Sequence, residues 1–75
     1  MQDFILNYYK IVSGNIKNLR LSLHLSQEKF AESVSCSREY ISRLENNKER
    51  ISLMLLLSIC QVYKLKPEDL FKVNN

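Results

Sequence analysis

Gly14 and Pro67 are the only glycine and proline in this 75-residue chain. An all-β fold needs turn residues every few positions, and this chain cannot supply them. Helices joined by short connections fit instead. Of the residues, 45% are hydrophobic, enough for one small core without metal or disulfide staples. The length suits a single domain, residues 1–75.

Two cysteines, Cys36 and Cys60, stand far apart in the chain with no further Cys or clustered His nearby. Neither a zinc site nor another metal site is expected. Both lie among apolar neighbours, where free Cys behaves as a small hydrophobe, so free thiols in a reducing cytoplasm are the expectation. Met1-Gln2-Asp3-Phe4 lacks the basic start of a signal peptide. No apolar run approaches the roughly 20 residues that span a bilayer. The net charge of +3 permits contact with a polyanion without demonstrating it.

Hydrophobic spacing places the helices. Residues 3–12 carry Phe4, Ile5, Tyr8, Tyr9, Ile11 and Val12 with partly helical spacing. Ile16, Leu19 and Leu23 form a stripe over 15–23. Gly14 interrupts or only weakens the continuity, so the two pieces form either two helices or one. Ser26 caps a helix whose inner face is Phe30, Ala31 and Val34, with Glu28 in its first turn where the helix dipole favours it. Ser35-Cys36-Ser37 is a short break, and Ser37 caps a helix over 38–46 with Ile41 and Leu44 inward. A polar loop from Asn46 to Arg50 follows. Ser52 caps an apolar helix over 53–63, and Pro67 opens a last short helix with Glu68 and Asp69 behind it. The expected fold is all-α, a compact five-helix bundle with an extended N-terminal helical segment.

The informative stretch is 26–46: a capped helix, a three-residue break, and a second capped helix. Its outer residues Arg38, Glu39, Ser42 and Arg43 are polar. Two short helices at a steep angle expose the second, and a major groove about 12 Å wide admits one helix. Arg donates bidentately to guanine and Glu accepts from cytosine. Lys48 and Arg50, in the following loop, suit phosphates.

Ser26-Gln27-Glu28-Lys29-Phe30-Ala31 and Ser37-Arg38-Glu39-Tyr40-Ile41-Ser42-Arg43-Leu44-Glu45-Asn46 together resemble the phage-repressor and Cro-like helix-turn-helix family, also called xenobiotic-response-element-like. Ile16, Leu19 and Arg20 fit its first helix. Leu56 to Cys60 and Pro67 to Phe71 are similar to its fourth and fifth, so the likeness covers about residues 12–72. The resemblance implies a bundle of the lambda-repressor-like type. It also implies that Arg38, Glu39 and Arg43 read bases, and that Gln27 binds a phosphate and braces the recognition helix. Ser37, Asn46 and Lys48 then contact the DNA backbone, and Arg20 pairs with Glu45. Tyr40 is bulkier than a small groove-facing residue and is expected to touch sugar, phosphate or a thymine methyl. The family has Gly where His24, Ser35 and Asn47 stand, which leaves the geometry of those turns open.

In residues 53–63 one buried stripe needs only Leu53, Leu56, Ile59, Cys60 and Tyr63. Met54, Leu55 and Val62 are left over, with Leu57 or Ser58 nearby. The expectation is a homodimer interface formed by Met54, Leu55, Ser58 and Val62. It would set two recognition helices about 34 Å apart on a two-fold operator. The alternative is that the N-terminal segment covers these residues within one chain.

The function expected is a sequence-specific double-stranded DNA-binding transcriptional regulator, a repressor or controller protein. No cofactor, small-molecule effector or membrane partner is implied. An antitoxin-like module that binds a protein through Phe4, Ile5, Leu6, Tyr8 and Tyr9 is the alternative. No nucleophile–base pair, carboxylate cluster or phosphate loop suggests an enzyme.

Overall fold

The structure is a computed structural model that describes residues 2–73. Four α-helices and a 3₁₀ helix follow one another: α1 (Gln2–Ser22), α2 (Gln27–Ser33), α3 (Arg38–Glu45), α4 (Leu53–Tyr63) and the 3₁₀ helix Pro67–Phe71. This corrects the expected five-helix bundle in one place, the last element, which is a 3₁₀ helix. The N-terminal segment, left open as one helix or two, is one continuous helix through Ser22, and Val12, Ser13 and Ile16 carry its buried face across Gly14. The last element is wound tightly, with Asp69 N–H donating to Lys66 O at 2.9 Å. Five residues are too few for a stable α-helix, and the i→i+3 pattern suits such a short piece.

The three serines expected to start helices do so. Ser26, Ser37 and Ser52 accept hydrogen bonds through Oγ from the backbone N–H groups of Lys29, Tyr40 and Leu55, each at 3.1 Å. Each cap satisfies a donor that the helix itself leaves unpaired and contributes about 1 kcal/mol. In place of the family's glycines, His24, Ser35 and Asn47 take left-handed φ values of 58°, 59° and 59°. Lys64, which the sequence did not single out, does the same at 57° to end α4. Only the asparagine adopts this region readily. The other three each carry strain on the order of 1 kcal/mol. Meanwhile the one glycine sits inside α1, where its flexibility is a cost. A Cβ at Gly14 meets nothing within 4 Å. Gly14→Ala is therefore expected to stabilise the fold by about 1 kcal/mol, seen as a rise of roughly 4–8 °C in thermal unfolding.

The core joins all five elements: Val12 and Ile16, Phe30, Ala31 and Val34, Ile41 and Leu44, Leu55, Leu56 and Ile59, and Leu70. Phe30 stacks on Tyr63 with ring centroids 5.6 Å apart, and the Tyr63 hydroxyl bonds to Ser33 Oγ. Asn15 Nδ2 donates to Leu70 O and Lys72 O, both at 2.8 Å, which fastens the C-terminal turn onto α1.

Helix α4 turns Leu56, Ile59 and Cys60 inward as expected, with Tyr63 half-buried, but its first turn differs. Leu55 is buried in the core, 6% exposed, whereas Leu53 is 70% exposed and Met54 80%. Leu55 therefore has no surface to offer a partner, and Leu53 is not part of the inner stripe. The N-terminal segment does not cover the outer face of α4, where Leu53, Met54, Leu57 and Val62 remain exposed. Leu23, expected in the stripe of α1, is also exposed. Among the described residues, no helix is long and apolar enough to cross a membrane. Cys36 and Cys60 are free thiols, and burial pushes the pKa of both up.

Candidate nucleic-acid interface

Helix α3 is amphipathic in a way that burial alone explains. Ile41 and Leu44 are fully buried, while Arg38, Glu39 and Arg43 are exposed with Ser42 half-buried between them. At 100° per residue these four occupy one outer arc, with Arg38 above Ser42 and Glu39 above Arg43. The structure thus brings the expected base-reading residues onto one surface, except Tyr40.

Tyr40 lies outside that arc and serves a different purpose. Its hydroxyl donates to Arg50 O and accepts from Ser52 N–H, both at 3.3 Å. The side chain braces α3 against the loop that leads into α4. With its hydroxyl occupied, the expected contact to sugar or phosphate through that group is replaced by this brace. The Arg43 guanidinium lies 5.9 Å from the Tyr40 ring centroid.

Both arginines are held by carboxylates. Arg43 Nε donates to Glu49 Oε1 at 3.1 Å, and this bond does not use its two Nη groups. Arg38 Nη2 donates to Glu39 Oε2 at 3.2 Å. All four side chains are at least a third exposed, so these pairs contribute at most about 1 kcal/mol and yield readily to a better acceptor.

Beneath α3 lies the one ion pair with little solvent access among the described residues. Arg20 of α1 grips Glu45 bidentately, Nε to Oε2 at 2.7 Å and Nη2 to Oε1 at 3.0 Å, with side chains only 11% and 3% exposed. Arg20 Nη1 donates to Leu25 O at 2.8 Å, and Gln27 Nε2 donates to Glu45 Oε1 at 3.1 Å. Burial pushes the Glu45 carboxyl up, but hydrogen bonds from Arg20 and Gln27 and the charges of Arg20 and Lys17 outweigh it. The carboxyl ends below its ordinary value. The hydrogen bonds that Arg20 donates to Glu45 raise the Arg20 pKa despite partial desolvation. The network ties the end of α3 to α1 and to the start of α2, so it fixes the angle at which α3 is presented.

The residues expected on the DNA backbone are distributed around this helix. Gln27 is half-buried and makes the expected brace, with its second N–H still free to donate. Ser37 uses its oxygen as the α3 cap and keeps its hydroxyl proton. Asn46 is exposed, and its Nδ2 donates to Ser42 O at 2.9 Å. Lys48 is exposed in the loop, while the Arg50 guanidinium lies 5.4 Å over the Tyr9 ring. The Tyr9–Arg50 contact joins α1 to the loop after α3, and neither side's sequence pattern signals it.

Two short helices around a tight turn, with the second exposing a polar face, define a helix-turn-helix. The chain belongs to the Cro/C1-type helix-turn-helix family, which residues 16–70 match, and this is a family of DNA-binding transcriptional regulators. Over 60 residues the chain is 35% identical to the uncharacterized HTH-type transcriptional regulator YgzD of Bacillus subtilis strain 168, covering 80% of this chain and 91% of YgzD. It is 37% identical over 60 residues to the antitoxin PezA of Streptococcus pneumoniae serotype 4, covering 80% of this chain but only 38% of the antitoxin. Its fold is that of the restriction–modification controller protein C.AhdI from Aeromonas hydrophila, with a TM-score of 0.78 at 24% identity over 88% of this chain and 96% of that one.

Proposed function

We propose that the protein is a sequence-specific transcriptional repressor or controller that binds a two-fold operator as a homodimer. The observation that carries the reading is the outer arc of α3. Arg38, Glu39, Ser42 and Arg43 share one exposed face, on a helix whose angle is locked by Arg20, Glu45 and Gln27. In this reading Arg38 and Arg43 donate to guanines, Glu39 accepts from a cytosine, and Ser42 adapts to either. Ser37, Gln27, Asn46, Lys48 and Arg50 hold the phosphates that set the register. The likeness to YgzD and C.AhdI, which covers 91% and 96% of those proteins, favours a regulator or controller over the antitoxin reading. The test is selection from random double-stranded DNA with the purified protein. A recurring motif with two-fold symmetry supports the reading, and no enrichment at any sequence contradicts it.

The dimer surface follows from the exposed side of α4. Leu53, Met54 and Leu57 share an arc of that helix and are 70%, 80% and 45% exposed, and Ser58 borders them. Val62 lies on the far edge of the exposed side and contributes less. Exposed apolar groups clustered on one helix are a usual mark of an association surface. Leu57→Lys is expected to shift the protein from dimer to monomer in sedimentation at micromolar concentration with helix content unchanged. A dimer that persists in this variant places the interface elsewhere.

The antitoxin likeness keeps a second reading in view, in which the exposed Phe4, Ile5 and Leu6 at the start of α1 engage a protein. It covers only 38% of that relative. Specific capture of a protein partner that depends on Phe4 and Ile5, together with no selected DNA motif, is the result that favours it.

A further inference from the structure

We propose that the cleft between the N-terminal half of α1 and the loop after α3 is a binding site for a DNA backbone phosphate, with Lys10 as a contact that the family pattern does not include. The inference rests on the protein binding duplex DNA, but not on its reading any particular sequence. The cleft has a volume of about 370 Å³, and Lys10, Asn47, Lys48, Glu49 and Arg50 form its polar wall. Three cations thus surround one concavity. Its only carboxylate, Glu49, is already held 3.1 Å from Arg43 Nε. Neither Lys10 nor Lys48 has a carboxylate within ion-pair distance among the described residues. The Arg50 guanidinium is held 5.4 Å over the Tyr9 ring, which fixes its plane and leaves its edge N–H groups available.

Like charges gathered in this way repel one another until an anion enters. A phosphate supplies several acceptor oxygens, enough for three donors. Asn47 N–H and Lys48 N–H already bond to Leu44 O and Arg43 O, so these two backbone groups are not donors. The charge of the site comes from the side chains of Lys10, Lys48 and Arg50. Its place decides the source of the phosphate. The loop leaves directly from the end of α3, so an anion in the cleft belongs to the strand that borders the groove α3 enters. Lys10 lies outside residues 16–70, the part that matches the family, so this contact is an addition carried by the extended start of α1.

The test is the salt dependence of binding to a mixed-sequence duplex between 50 and 200 mM KCl, which does not require the operator. Each phosphate neutralised contributes about 0.9 to the slope of log K against log salt concentration. Lys10→Gln is expected to flatten that slope by about 0.9, and Lys10→Arg to keep it. The base preference of the selected motif should be the same for both variants, and so should the unfolding temperature. A wild-type slope for Lys10→Gln overturns the inference and leaves base reading by α3 untouched. A change in base preference also overturns it, by placing Lys10 on bases. Failure to select any motif speaks against operator reading alone, because the salt slope is measured on a duplex of arbitrary sequence.

Discussion

Glu45→Ala is expected to destabilise the protein by about 3 kcal/mol or more, the loss typical of removing one partner from a buried pair. In a domain of this size that lowers the unfolding temperature by roughly 12–24 °C. The reason lies in what remains. Arg20 stays charged at any usable pH, keeps its bond to Leu25 O, and loses both bonds to the carboxylate. Gln27 loses its acceptor as well. Replacing both ions by apolar groups of similar size, Arg20→Met with Glu45→Leu, is expected to recover most of the loss, because no charge is then left buried without a partner. The measurement is thermal unfolding followed by circular dichroism for the single and double variants. If the double variant is as unstable as the single, the cost lies in packing rather than in the unpaired charge.

The same pair sets the acid response. The carboxyl of Glu45 is held below its ordinary value in the folded state, so the native state binds its proton less readily than the unfolded chain. The contribution is complete above the ordinary Glu range, about pH 4.3. It fades as pH falls below that range and is gone once pH passes the lowered folded value. Asp69 shifts in the same direction, through its bond from Lys66 N–H and its contact with Lys72. Unfolding temperature should therefore fall on the acid side of pH 4.3, and more weakly in Glu45→Gln.

The second large effect concerns recognition. Arg38→Ala with Arg43→Ala is expected to lower the ratio of operator to non-specific affinity by about 30-fold or more, since each bidentate arginine contact discriminates by about 1–3 kcal/mol. The residual binding should keep a steep salt dependence, because the proposed phosphate contacts, Lys48 among them, are untouched. Both arginines are at least half exposed, and their carboxylate partners are on the surface, so the fold should be unaffected. Competition binding with operator and unrelated duplexes checks the ratio. An unchanged ratio would remove α3 as the reader.

Much of this was legible in the sequence, and the parts that were not share a cause. Ser26, Ser37 and Ser52 announce three helix starts because a cap is a local signal, read from one residue and its neighbours. The outward polar set of α3 is legible for the same reason. The first turn of α4 is not, because Leu53, Met54, Leu55, Leu56 and Leu57 are apolar all round. Periodicity cannot choose the inner residues of such a run, and the fold buries Leu55 and exposes Leu53. The brace from Tyr40 and the stacking of Arg50 on Tyr9 depend on where the 46–52 loop returns, which no spacing encodes. The left-handed turns at His24 and Ser35 show a topology overriding local preference. The Arg20–Glu45 pair spans 25 positions, and only the family resemblance pointed to it.

The central claim is that α3 reads bases through its outer arc. Its most direct test is to change every base pair of the selected duplex in turn and measure binding by wild type and by Arg43→Ala side by side. The variant is expected to lose its preference at one base pair, repeated by the two-fold symmetry, and to keep it at the others. A preference profile identical to wild type at every position, only weaker throughout, would contradict it and return Arg43 to the phosphate backbone.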